Sequence, residues 1–232
     1  MKNKIYRSFD RAVADIPDGC SIMFGGFGGV GAPQNLMAAL LSKGTIGITG
    51  ISNEHGGIDG RMDIGTLIEA RQISKMICSF TANPHPSRET PFVRLYNEGL
   101  VDAELVPMGT LAERMRAAAF GIGGFYTPTG AGTELAEGKE QREMNGRLQV
   151  LEYPLPADYA FIRAWKADSF GNIQFRLTLR NFNPIMAIAA KTTLVEVETP
   201  ILAPGELDPD QIHVPGIYVD RIIAIPPGGI WE

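Results

Sequence analysis

Only two of the 232 residues are cysteine and only three are histidine. A disulfide framework or a Cys/His metal site is therefore not available to organise the chain. Cys20 and Cys78 each lie in an apolar run (20–24 and 76–80), the setting of a buried, reduced thiol. His55, His85 and His213 are far apart and share no metal-ligand spacing with the cysteines. No block of lysine and arginine occurs. The 21 basic and 26 acidic residues leave a formal charge of −5, which excludes the electrostatic footprint of a nucleic-acid or anionic-membrane surface. No apolar stretch reaches the roughly 18 residues of a membrane span, and residues 1–10 lack the apolar segment of a secretory signal. The expectation is a cytoplasmic protein with neither nucleic-acid nor membrane partners. No internal repeat or linker is found, so one domain over 1–232 is expected.

Glycine is abundant, at 27 residues, in an otherwise ordinary globular composition of 44% hydrophobic and 20% charged residues. Apolar runs alternate with helical patterns in the first half. Strands are expected at 21–25, 46–51, 75–79 and 103–106. Helices are expected at 33–42, 64–70, 89–98 and 111–119, with Pro33 and Gly44 bracketing the first. Strand–helix alternation predicts an α/β fold: an open, mostly parallel sheet with helices on both faces. Beyond Phe120 the strand-like segments 148–152, 159–164, 172–175, 193–197 and 217–225 predict a β-rich C-terminal elaboration of the same sheet. Residues 202–215 read as a loop.

The first strand runs into Phe24-Gly-Gly-Phe-Gly-Gly-Val-Gly-Ala-Pro33 and then a helix. Such a loop lets a ligand approach the backbone and points N–H groups at negative charge. Gly26-x-Gly28-x-x-Gly31 formally fits a dinucleotide loop, with Glu54 placed where a ribose-binding acid would lie. One alternative is therefore a nucleotide-binding oxidoreductase. The other is a tight turn without a ligand.

A longer match is more specific. Asp18-Gly19, two residues, Ile22-Met23-Phe24, Gly25-Gly26-Phe27, three residues, Gly31, one residue and Pro33 resembles the N-terminal signature of the family I coenzyme A transferases. Gly109–Arg114, Thr127–Thr133, Glu137–Glu140, Lys166–Asp168 with Gly171-Asn172, Arg180-Asn181-Phe182-Asn183-Pro184 and Gly205–Asp210 with Pro215–Tyr218 resemble, in order, segments of the A (alpha) subunits of 3-oxoacid CoA-transferases. The resemblance implies a transfer of CoA from an acyl-CoA to a carboxylate through a glutamyl-CoA thioester. In that family the nucleophilic glutamate stands in a Ser-Glu-Asn-Gly motif of the B subunit, and this chain has no such motif. No catalytic nucleophile is thus expected here. The expected partner is a B subunit in an α2β2 assembly. The CoA thioester is a substrate, and no tightly bound cofactor or metal is expected. Gly25, Gly26, Phe27, Gly28, Gly29, Val30 and Gly31 would face the thioester or its oxyanion.

Two departures from the family stand out. Ser52-Asn53-Glu54-His55-Gly56 replaces the usual Ser-Asn-Asn-Ala-Gly, and Pro107-Met108-Gly109-Thr110 replaces Pro-Gln-Gly-Thr. The resemblance makes Asn53, Glu54, His55, Met108 and Gly109 substrate-binding candidates. A thioether cannot donate the hydrogen bond of the missing glutamine, which bears on acid selectivity. The alternative for Met108 is core packing. For Glu54 the further alternative is a self-sufficient CoA-ester enzyme using that carboxylate itself. The role of Arg180-Asn181-Phe182-Asn183, which has the look of a turn with buried polar groups, does not follow from the sequence.

Overall fold

The computed structural model describes residues 3–57, 60–81 and 89–230; His85 lies outside them. The first half runs α1 (Phe9–Val13), β1 (Ser21–Phe24), α2 (Gln34–Lys43), β2 (Ile48–Ile51), α3 (Ile64–Glu69), β3 (Ile73–Cys78), α4 (Pro91–Asn97), β4 (Asp102–Leu105) and α5 (Met108–Ala119). Local chemistry sets several boundaries. Gly44 closes α2 in the left-handed region at φ 77°, its N–H donating to Leu40 and Leu41 carbonyls. The Asp63 and Thr90 side chains cap α3 and α4, and Pro91 follows in the first turn of α4.

The second half contributes β5 (Phe125–Thr127), β6 (Gln141–Met144), β7 (Arg147–Glu152), β8 (Ala157–Ala164), β9 (Lys166–Ala167), β10 (Ile173–Gln174), α6 (Asn183–Ala189), β11 (Ala190–Val197) and β12 (Arg221–Ala224). Seven strands form one sheet in the order β12-β11-β8-β1-β2-β3-β4. Every neighbouring pair in it is parallel. The expected open parallel sheet is present, but the elaboration divides. β8, β11 and β12 extend the main sheet, whereas β5-β7-β6 and β9-β10 form separate antiparallel sheets. The strand expected at 217–225 shrinks to four residues because Gly216–Tyr218 forms a 3-10 turn. Two helices were not legible. α1 has five residues, too few for a helical period. α6 opens on Asn183-Pro184, which reads as a turn although proline suits a helix's first turn.

Alternate strand residues feed two cores. Ile22, Phe24, Phe161 and Leu194 face α1–α4, while Met23, Ala160, Ile162 and Val195 face α5 and α6. Helices therefore cover both faces. Arg114 on α5 pairs with Glu104 of β4 at 2.7 Å rather than with its neighbour Glu113, which pairs with Arg116. Lys139 bridges to buried Glu152 at 2.7 Å, and Glu140 holds Arg142 and the Tyr126 hydroxyl. Among the described residues, no helix is long and apolar enough to cross a membrane.

Strand order has a consequence for ligands. The chain leaves β1 toward β2, β3 and β4, then returns to the other side of β1 with β8. A crevice opens at the carboxyl ends of strands where the winding reverses. Here that place lies between β1 and β8.

Candidate active site

The glycine loop leaves β1 at this reversal. The Gly25 N–H donates to the Phe161 carbonyl of β8 at 2.9 Å, and a Cβ on Gly25 would stand 1.9 Å from Asn183 Oδ1. Only glycine fits there. Phe27 and Val30 then exchange both backbone hydrogen bonds, each 3.0 Å, around Gly28 at φ 60° and Gly29 at φ 79°. Two central residues with positive φ are the requirement of a type I′ turn, so the loop is a miniature hairpin with a two-glycine tip.

At that tip the Gly28 N–H donates to Glu54 Oε2 and the Gly29 N–H to Glu54 Oε1, both at 2.7 Å. Glu54 follows β2, the strand beside β1, which carries its carboxylate to the loop. Burial raises the Glu54 carboxyl above its ordinary range, opposed by the Gly29 and Gly28 hydrogen bonds. Two N–H groups converging on carboxylate oxygens can equally receive a substrate carboxylate or a developing oxyanion.

The other side of the hairpin is tethered. Asn181 Nδ2 donates to the Val30 carbonyl at 2.9 Å and Asn183 Nδ2 to the Gly31 carbonyl at 3.1 Å. Asn183 Oδ1 accepts from the Arg163 N–H of β8 at 3.1 Å. The segment 180–183 thus fixes the glycine loop against β8, the role its sequence did not reveal.

The start of α2 does not carry a dinucleotide phosphate site. Its amides at Asn35 and Leu36 donate to Glu196 Oε2 at 2.9 and 3.0 Å, and Asn35 Nδ2 reaches Oε1 at 3.2 Å. Glu196 is 0% exposed, so a protein carboxylate already holds the donors a pyrophosphate would need. Sequence reasoning missed Glu196. Its only signal was a single acid inside the apolar strand segment Thr193–Val197.

Residues 53–55 diverge. Glu54 turns to the hairpin, whereas His55, 1% exposed, stacks on Phe92 with centroids 5.0 Å apart and meets Phe80 edge-on. Among the described residues neither ring nitrogen of His55 has a hydrogen-bond partner, and burial lowers its pKa, favouring the neutral ring. Glu54 and His55 therefore form no hydrogen-bonded dyad. The Asn53 side chain, 1% exposed, has neither amide atom paired among the described residues.

Met108 is the first residue of α5, is 41% exposed and is not core. No side chain caps α5, and a Cβ on Gly109 would meet nothing within 4 Å. Buried hydroxyls of Ser79 and Thr110 also lack partners among the described residues. These two were not singled out in the sequence, where serine and threonine carry no such signal. The strand ends of β2–β4 therefore present unpaired polar groups beside an uncapped helix start, a setting for an oxygen-rich ligand.

Among the described residues, no His/Cys/Asp/Glu group could hold a metal ion. Both cysteines are buried and free, and burial pushes each thiol up to about 11.

A family model described as coenzyme A transferase matches residues 6–224. The chain is 48% identical over 225 residues to the A subunit of the 3-oxoadipate CoA-transferase of Pseudomonas putida, covering 97% of this chain and 95% of that protein. It is 46% identical over 220 residues to the A subunit of a probable succinyl-CoA:3-ketoacid coenzyme A transferase of Bacillus subtilis (strain 168), covering 95% and 89%. The crystal structure of glutaconate coenzyme A-transferase from Acidaminococcus fermentans superposes with a TM-score of 0.81 over 97% of this chain and 76% of that one. At 22% identity it speaks for the fold alone.

Proposed function

The chain belongs to the coenzyme A transferase family, and we propose that it is the A (alpha) subunit of a 3-oxoacid CoA-transferase. It works with a B subunit in an α2β2 assembly, moving CoA from an acyl-CoA to a 3-oxo acid or related carboxylate. Similarity along nearly the whole chain to the A subunits of two such enzymes supports this assignment. So does the lack of a Ser-Glu-Asn-Gly motif, which leaves the nucleophilic glutamate to the partner. The observation that carries the chemistry is the hairpin tip, where two amides already hold a carboxylate at 2.7 Å.

In the proposed mechanism the partner's glutamate carboxylate attacks the thioester carbonyl, whose oxygen becomes negatively charged. The Gly28 and Gly29 N–H groups, held by the Gly25–Gly31 backbone and its asparagine tethers, receive that oxygen once Glu54 yields them. Such prepositioned donors act without reorganising at the moment of reaction. CoA thiolate leaves, then displaces the acyl carboxylate from the resulting anhydride to give the glutamyl-CoA thioester. The incoming acid reverses these steps. Asn53, Met108 and Gly109 line the acid side, and His55 shapes it through its aromatic stack.

The test is trapping. With acyl-CoA followed by borohydride, the chain alone acquires no reduced glutamate. Mixed with its partner, it yields a modified glutamate on the partner, read by peptide mass spectrometry. A modified Glu54 in the chain alone overturns the two-subunit mechanism in favour of a self-sufficient enzyme.

A further inference from the structure

The helix that follows the glycine hairpin is capped from a distance. Asp63 and Thr90 cap α3 and α4 from the position just before each helix. α2 is preceded by Pro33, and no side chain at that position caps it. The role passes to Glu196 of β11, whose Oε2 takes the Asn35 and Leu36 amides. A local cap fixes only where a helix starts. A carboxylate reaching out of the sheet also fixes where the helix sits against the strands.

Glu196 stands opposite Arg163 in the register of β11 on β8. Each follows by two residues an apolar residue, Leu194 or Phe161, that faces α1–α4, so both charges lie on the α2 side of the sheet. Both are buried, and the guanidinium lies 3.8 Å from Glu196 and 3.0 Å from Glu198. Such a buried pair seldom gains stability over apolar residues of the same volume, so stability does not account for it. The same two strands hold the rest of the hairpin. The Phe161 carbonyl, two residues before Arg163, accepts the Gly25 N–H. The Arg163 N–H holds Asn183, which in turn takes the Gly31 carbonyl. Only residues 32–34 separate Gly31 from the first amide on Glu196. Entry, flank and exit of the hairpin are thus all fixed to β8 and β11.

We propose that Glu196, backed by Arg163, is a positioning residue for the transfer reaction: by anchoring the hairpin's exit it sets where the Gly28 and Gly29 amides meet the thioester oxygen. The inference rests on the oxyanion role proposed above for those amides. A slack exit lets the tip shift while its two-glycine turn stays intact. Oxyanion donors act only at hydrogen-bond distance, and a displacement of about 1 Å is enough to cost about 10²-fold in rate.

The assembled enzyme, this chain with its B-type partner, tests the proposal. One acyl group is offered as the ordinary CoA thioester and as the CoA dithioester, in which sulfur, a weak acceptor, replaces the carbonyl oxygen. The readout is the ratio of the two kcat/KM values, oxygen over sulfur. It follows the donors at the hairpin tip and is blind to a general loss of active protein. For Glu196→Ala that ratio falls about ten- to hundred-fold. Glu196→Gln keeps one acceptor for the α2 amides and recovers part of the fall. A ratio unchanged from wild type in either variant leaves Glu196 a cap and overturns the proposal. So does failure of both variants to assemble, read by light scattering, because Glu196 is then structural. A wild-type ratio equal to that of the Gly28→Val assembly is a different result. The hairpin tip then does not receive the oxygen, and the oxyanion reading itself fails.

Discussion

The carboxyl of Glu196 is fully buried, accepts three N–H groups from Asn35 and Leu36, and lies 3.8 Å from the Arg163 guanidinium. Burial is the largest influence and raises its pKa from 4.5 to about 7, against those donors and Arg163. An acid that binds its proton more tightly when folded favours the folded state at low pH. Its contribution is full below about 4.5 and is lost as pH rises through about 7. In urea titrations of the wild type and Glu196→Gln, the wild type's advantage should therefore shrink as pH is raised from 4.5 to 7, by at most about 3 kcal/mol. An advantage that is constant or grows with pH contradicts this. Met108 makes a second residue-scale prediction. Exposed at the head of α5, its thioether offers an acid no donor. Met108→Gln in the assembled enzyme should raise the kcat/KM ratio of 3-oxo acids or dicarboxylates over simple fatty acids about three- to thirty-fold, the worth of one hydrogen bond in a dry site. Since Met108 is not core, an unmoved ratio means that it does not touch the acid.

At the scale of elements the glycine hairpin is the working part. Its tip needs positive φ at both glycines, and its tip amides, which hold the Glu54 carboxylate, must be able to pass to a ligand. A Cβ on Gly28 would meet nothing within 4 Å, so a substitution there acts through backbone strain and through cover over the tip rather than through a clash. Gly28→Val should lower kcat of the assembled enzyme about 10²–10³-fold, the cost of displacing one oxyanion donor. Gel filtration should show the assembly unchanged. Full activity would make the hairpin merely a turn. The tethers explain how so short an element keeps its place. Asn181 and Asn183 take two hairpin carbonyls, and Asn183 is itself held by the Arg163 amide. The glycine spacing of 25–31 was visible in the sequence, as was its position after a strand. That it folds back as a hairpin was not, because a dinucleotide loop and a two-glycine turn share the same pattern until their hydrogen bonds are known.

At the scale of the molecule, the parallel sheet brings loops after β1, β2, β3, β4 and β8 to one edge, and there Asn53, His55, Ser79 and Thr110 carry polar atoms without a partner among the described residues. The proposed nucleophile comes from another chain, so activity should depend on stoichiometry. Adding the B-type partner to a fixed amount of this chain should raise transfer linearly to a plateau at equimolar ratio. Light scattering at that point should give the mass of two copies of each. A plateau at another ratio, or activity before any addition, contradicts the α2β2 assembly.

The amino-acid sequence alone determined the strand–helix alternation of the first half, the parallel sheet and the buried thiols, because each depends on local periodicity or on composition. It also carried the motifs that the family shares. Tertiary structure decided the rest, for a physical reason common to all of it. Whether Glu54 faces a ribose or the Gly28 and Gly29 amides, whether Met108 is core or surface, and what Asn183 holds depend on groups up to about 150 residues away that meet only when β8 returns beside β1. Glu196 makes the point most sharply: one acid in an apolar strand has no readable purpose until the start of α2, 160 residues earlier, is laid against it.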